Sequence, residues 1–171
     1  LLVPAIILGL LGKRLRLYIL FSSLVFIGLI YGSDRAQLLY LAMFYLLSVL
    51  LVKIYLKLRI KYGRNGKICL AFGLMAILPL IICKLSEIFP VDWLNFLGIS
   101  YLTFKVVQVI IETYDGVIKE INIVSFSTYL LFFPSISSGP IDRSRRFDED
   151  LSTVYTRGEY LDLVGDRSEE H

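Results

Sequence analysis

The chain has 171 residues, of which 56% are hydrophobic and 19% charged, with a formal net charge of +3. Soluble domains carry roughly 25% charged residues, so this chain, at a mean hydropathy of +0.69, is too apolar to cover itself with a water-facing surface. Its basic clusters flank apolar blocks instead of forming a basic face, which argues against nucleic acid as a partner.

The apolar residues come in runs of about 15 to 20 separated by short charged clusters, the pattern of bilayer-spanning helices. The first block is Leu1–Leu11, followed by Lys13, Arg14 and Arg16. A signal peptide has the opposite order, with charges before the apolar region, so this block reads as the end of a truncated first span. The second block is Leu15–Tyr31, the third Ala36–Val52, and the fourth Ile68–Cys83, extendable to Phe89. Gly73 and Pro79 inside the fourth are tolerable in a membrane helix, where neighbours satisfy freed backbone groups. Cys69 and Cys83 near its two ends would stand roughly 21 Å apart on a helix, beyond the roughly 7 Å limit for a disulfide. They are expected to be reduced, and nothing in the chain has metal-ligand spacing.

The fifth block runs from Trp93 to Ile111 and the sixth from Ile121 to Ile136. The sixth ends Phe133-Pro134-Ser135-Ile136-Ser137-Ser138-Gly139-Pro140, a string that cannot continue a helix. Lipid does not tolerate irregular backbone, so this segment must be buried in protein or line a wet cavity. The expected fold is therefore all-α: a polytopic transmembrane bundle of about five spans and a broken or re-entrant sixth. Residues 1–141 form the membrane region, and residues 142–171 a polar tail.

The loops set an orientation. Lys13, Arg14 and Arg16 follow the first block, and Lys53, Lys57, Arg59, Lys61, Arg64 and Lys67 follow the third without an acid among them. The positive-inside rule makes both loops cytoplasmic and the N-terminus extracytoplasmic in a plasma membrane. Plain alternation would then carry Arg143, Arg145 and Arg146 outside, whereas a re-entrant sixth block keeps them inside. The Lys53–Lys67 run reads as a topogenic signal and anchor to the anionic bilayer surface, with docking of an acidic cytosolic partner as the alternative. Arg143, Arg145 and Arg146 read either as solvated loop charge or as an anion contact beside a cavity.

The fifth block carries a polar stripe. Tyr101, Lys105, Gln108 and Glu112 fall in a narrow arc at spacings of four, three and four, with Gly98 at its edge. Lys exposed at the bilayer centre costs about 2.5–3.5 kcal/mol, so the stripe predicts a helix facing protein. It is either helix–helix glue, with Lys105 snorkelling to the boundary, or the wall of a substrate tunnel. Lys105 and Glu112, about 10 Å apart along the axis, are not expected to pair. No catalytic residue is identified: the only histidine is His171, and no Ser/His/Asp or Cys/His set can be assembled in the membrane.

The string Leu94-Asn95-Phe96-Leu97-Gly98-Ile99-Ser100-Tyr101-Leu102-Thr103-Phe104-Lys105, with Ile111-Glu112, Asp115-Gly116-Val117 and Ser138-Gly139-Pro140-Ile141-Asp142-Arg143, resembles the membrane-bound O-acyltransferase family. Within that family it looks most like the branch that D-alanylates teichoic acids. The resemblance covers roughly residues 15–150 and rests on Gly98, Ile99, Ser100, Tyr101, Thr103 and Phe104 together with Gly139, Pro140, Ile141 and Arg143. It implies a many-helix enzyme enclosing a tunnel through the bilayer. No cofactor would be bound; the acyl donor would be D-alanine, held as a thioester on the phosphopantetheine arm of an acidic carrier protein. The acceptor would be lipoteichoic or wall teichoic acid, reached through a further membrane-anchored partner. The family's catalytic histidine lies on later helices and matches no position here, so this chain is expected to be an N-terminal portion, inactive alone. Its ending, from Tyr160 to His171, looks foreign to the family. A polysaccharide O-acetyltransferase of the same family, a transporter and a non-catalytic membrane scaffold are the rival readings.

Overall fold

A computed structural model describes residues 16–86, 98–136 and 143–153. Among them the chain is helical without a strand. The first apolar block, Leu1–Leu11, and the polar tail beyond Thr153 lie outside the described residues.

Helix α1 spans Arg16–Tyr31 and α2 spans Arg35–Tyr62. Asp34 separates them and caps α2, its carboxylate accepting from the amides of Ala36 at 3.0 Å and Gln37 at 3.2 Å. That satisfies donors which the first turn of a helix leaves orphaned. α2 has 28 residues, about 42 Å, and it overturns the expected boundary at Val52. Lys53, Lys57, Arg59 and Lys61 are helical, because leucines, isoleucines and tyrosines between the charges let the helix run on. The break comes at Gly63, whose φ of 69° lies in the left-handed region that glycine adopts without strain. Asn65 then caps α3, Gly66–Ser86, by accepting from Lys67 N at 3.0 Å. Pro79 sits inside α3. Neither Cys69 nor Cys83 is in a disulfide among the described residues.

α2 and α3 are long and apolar enough to cross a membrane. Their outer faces expose large apolar side chains, among them Leu46, Leu50, Leu70 and Leu74. α1, at 16 residues, is about 24 Å long.

Helix α4, Ile99–Tyr114, begins later than the apolar block and extends past Ile111; Trp93–Leu97 lie outside the described residues. α4 packs against α2 and α3, and it also contacts the two short helices that follow. It buries Leu102, Val106, Val109 and Ile110 almost completely. Helix α5 is only eight residues, Ile123–Leu130, about 12 Å and too short to cross a bilayer of about 30 Å. A 3-10 turn at Phe133–Ser135 follows it, and helix α6 occupies Ser144–Ser152.

α6 lies beside the start of α1. Asp148 on α6 pairs with Arg16 at the start of α1 at 2.7 Å. Asp115, beside Arg143 and Arg146 around one cleft, pairs with Arg64 in the α2–α3 loop at 3.1 Å. The starts of α1 and α6, the end of α4 and the basic α2–α3 loop therefore share one end of the bundle. α5 dips inward from that end and the chain returns to it. Phe133 meets α1 at Ser23, about 10 Å along α1 from Arg16, which gives the depth of the excursion.

Candidate functional site

The polar stripe of α4 faces the dipping segment. Lys105 is 2% exposed and does not snorkel. Its Nζ donates to Ser135 Oγ at 2.7 Å, to the Tyr129 carbonyl at 3.0 Å and to the Leu130 carbonyl at 3.4 Å. An ammonium has three donors, and all three have partners. The cation also lies 5.3 Å from the Tyr129 ring centroid, a further attraction in a dry site. Ser135 in turn donates to the Phe132 carbonyl at 3.4 Å.

The physical reason is the break itself. A helix leaves its last carbonyls unpaired and concentrates negative potential there. Here those carbonyls are buried, Leu130 being 0% exposed, so water cannot serve them. Lys105 supplies hydrogen bonds and the matching charge from the neighbouring helix. On the other side of the turn, Phe133 N donates to Ser23 Oγ of α1 at 3.3 Å. The Phe133 ring stacks on Phe26 at 4.2 Å. Irregular backbone is thus tolerated because α1 and α4 reach over to satisfy it.

Glu112, 8% exposed, does the converse at α6. Its carboxylate accepts from Gln108 Nε2 at 3.2 Å, from Arg145 N at 3.4 Å and from Ser144 Oγ. Arg143 occupies the cap position of α6 without a side-chain cap bond, since a guanidinium has no acceptor. The anion at this positive helix end comes from α4 instead. Phe147 completes the docking, edge-on to Phe132 at 5.0 Å and to Tyr129 at 5.6 Å. Farther along α6, Glu149 pairs with Arg145 at 2.6 Å and raises that exposed guanidinium above its ordinary range.

Two hollows flank these contacts. A cavity of about 290 Å³ lies between α4, α5 and α6, with Val109, Phe126, Tyr129 and Ser144 on its wall. A broader cleft of about 900 Å³ is walled by Gln108, Glu112, Asp115, Arg143, Arg145 and Arg146. Lys105, Gln108 and Glu112 thus stand along one side of the dipping segment, with separate partners for the two charges. Tyr101 is half-buried one turn earlier.

Among the other singled-out residues, Gly98 caps α4 at φ 88°, a conformation strained for residues with a Cβ. Ile99 and Thr103 are buried, Ser100 is intermediate, and Phe104 points outward at 52% exposure. Thr103 Oγ1 is buried without a hydrogen-bond partner among the described residues. Gly139, Pro140 and Ile141 lie outside the described residues, and Arg143 stands at the start of α6. Sequence reasoning did not assign partners to Ser23, Ser135 and Ser144. A serine beside a proline break was the available signal, but it does not say which helix will answer it.

The chain is 42% identical over 173 aligned positions to a teichoic acid D-alanyltransferase of Bacillus subtilis (strain 168), covering 96% of this chain and 44% of that protein. It is 40% identical over 168 positions to one of Lacticaseibacillus rhamnosus, covering 95% and 42%. It is 37% identical over 155 positions to one of Streptococcus thermophilus (strain ATCC BAA-250 / LMG 18311), covering 89% and 37%. The chain thus spans less than half the length of these curated relatives. No family model matches it.

Proposed function

We propose that this chain, which is 37–42% identical to three teichoic acid D-alanyltransferases, is part of a membrane acyltransferase that moves D-alanine from a carrier-protein thioester toward a teichoic acid acceptor. The observation that carries this reading is identity of 37–42% to three proteins so named, along almost the whole chain. The phosphopantetheine arm of an acidic carrier would bring the donor to the basic end of the bundle, where Arg143, Arg145 and Arg146 line the open cleft. A membrane-anchored partner would pass the product on at the opposite face.

Within that enzyme the chain supplies positioning, not the nucleophile or general base. Lys105 holds the end of α5 and Glu112 the start of α6, and elements fixed in this way can form one wall of an acyl passage. The chain crosses the plasma membrane several times, with the end bearing Arg16, Arg64 and α6 in the cytoplasm. Five full spans and an extracytoplasmic N-terminus complete this topology.

The test is complementation. A bacterium lacking its own D-alanyltransferase receives the whole protein that carries this chain, and alkali-labile D-alanine on its teichoic acid is measured. Restored ester supports the proposal. An inserted, stable protein that restores none overturns it, and O-acetyl groups on a polysaccharide would favour the acetyltransferase reading. Membranes containing only these 171 residues should transfer no D-alanine. Cysteine labelling of Asp34→Cys and Lys57→Cys in intact cells checks orientation: the first should react with an impermeant maleimide and the second should not.

A further inference from the structure

The basic run Lys53–Lys67 divides into two sets in the folded chain. Its arginines are used internally: Arg59 Nε donates to the Tyr114 carbonyl at 3.2 Å, and Arg64 pairs with Asp115 and lies over the Tyr114 ring at 4.7 Å. Both hold the end of α4. Lys53 and Lys57 are exposed and make no ion pair among the described residues. No Asp or Glu occurs anywhere between Arg35 and Ser86, so neither α2 nor α3 supplies a counter-charge.

These lysines stand on a particular face. At 100° per residue, Lys53 and Lys57 share a stripe of α2 with Leu46 and Leu50, which are 65% and 57% exposed. The stripe therefore changes from apolar to cationic at one level. Just below that level, Leu46, Leu47 and Leu50 of α2, Pro79 of α3 and Ile99 of α4 line a groove of about 400 Å³ that is almost wholly apolar.

We propose that this groove and its two lysines form a binding site for an anionic phospholipid. An acyl chain lies along Met43, Leu47 and Leu50, and the headgroup phosphate is held between the ammonium groups of Lys53 and Lys57. Lysines near a membrane boundary lay their four-carbon stems over apolar surface while the ammonium stays at the interface, which suits Lys53 one turn from Leu50. Lysine suits this role because it meets a phosphate as a mobile point charge. A zwitterionic lipid would fill the groove equally well but would gain less from the lysines, so the site discriminates by headgroup. The occupant is a lipid and not an acidic protein because the cationic stripe is continuous with an apolar groove that only a hydrocarbon chain would share.

The test places a fluorescent reporter in the groove. Leu47→Trp is made in the whole membrane protein with its other tryptophans replaced by phenylalanine. The protein is reconstituted into bilayers of brominated phosphatidylglycerol or brominated phosphatidylcholine in varied ratio. Quenching should report preference for the anionic lipid by about five-fold or more, since each lysine near the surface is worth about a factor of five. Lys53→Gln with Lys57→Gln should bring the preference to near unity, and Lys53→Arg should retain it. A Leu74→Trp reporter on the outer face of α3 should show no headgroup preference in either background. Equal quenching by the two lipids at position 47 would overturn the proposal. So would absence of quenching by both, because protein would then cover the groove.

Discussion

Lys105 Nζ of α4 lies 2.7 Å from Ser135 Oγ in the turn that ends the dipping segment, and the same ammonium reaches the last carbonyls of α5. About two turns along α4, Glu112 takes the first groups of α6. One helix thus presents a cation to a negative helix end and an anion to a positive one. The charges do not pair with each other, because each is already matched to a backbone dipole.

Lys105→Met should destabilise the protein by about 3 kcal/mol, since it leaves buried carbonyls and a serine without their donor. Ser135→Ala should cost about 1 kcal/mol. If the two groups act together, the double variant should cost less than the sum, with a coupling of about 1 kcal/mol or more. Thermal unfolding of the detergent-solubilised protein measures all three, and strict additivity would refute the coupling.

Glu112→Ala should loosen α6 without unfolding the bundle, because α4 keeps its apolar contacts with α2 and α3. Amide hydrogen exchange in residues 144–152 should rise by about tenfold, the equivalent of about 1.4 kcal/mol. Glu112→Gln retains one acceptor and should give a smaller rise. Unchanged exchange in both variants would mean that Phe147 and Asp148 hold α6 unaided.

Thr103→Val is expected to stabilise, by up to about 1 kcal/mol. The hydroxyl is buried without a hydrogen-bond partner among the described residues, and replacing it with a methyl of similar size removes a desolvated polar group. A lowered midpoint of thermal unfolding would contradict this account.

Gly98→Ala should destabilise by about 1–2 kcal/mol, because φ is 88° there and a Cβ is strained in that region. Gly73→Ala inside α3, where an added Cβ meets nothing within 4 Å, should be neutral or stabilising. The contrast between the two melting temperatures tests whether Gly98 is required by conformation and not by size.

Several features were legible because they depend on local chemistry. The membrane character follows from the apolar runs, the buried stripe from Lys105 and Glu112 at helical spacing, and the break in the sixth block from Pro134 and its serines. The boundary expected at Val52 fails because charge is not an end signal. Lys53 and Lys57 are good helix formers, and only Gly63 supplies the conformation that stops the helix. Snorkelling, part of one of the two readings open for Lys105, fails for a related reason. Snorkelling is the route open to a lysine without a buried partner, and the carbonyls of Tyr129 and Leu130 are partners that lie 24 and 25 residues away.

By itself the sequence determined that this is a helical membrane protein with a polar stripe on α4 and a helix interrupted near Pro134. Period, length and the rigidity of proline act within a few residues of each other and need no fold to be read. Tertiary structure alone decided what the stripe is for. Helix ends carry charge only once helices exist, and which side chain compensates a given end depends on packing between segments far apart in the chain. That packing returned α6 to the end of the bundle where Arg16 stands, and it set Lys105 at the end of α5 and Glu112 at the start of α6.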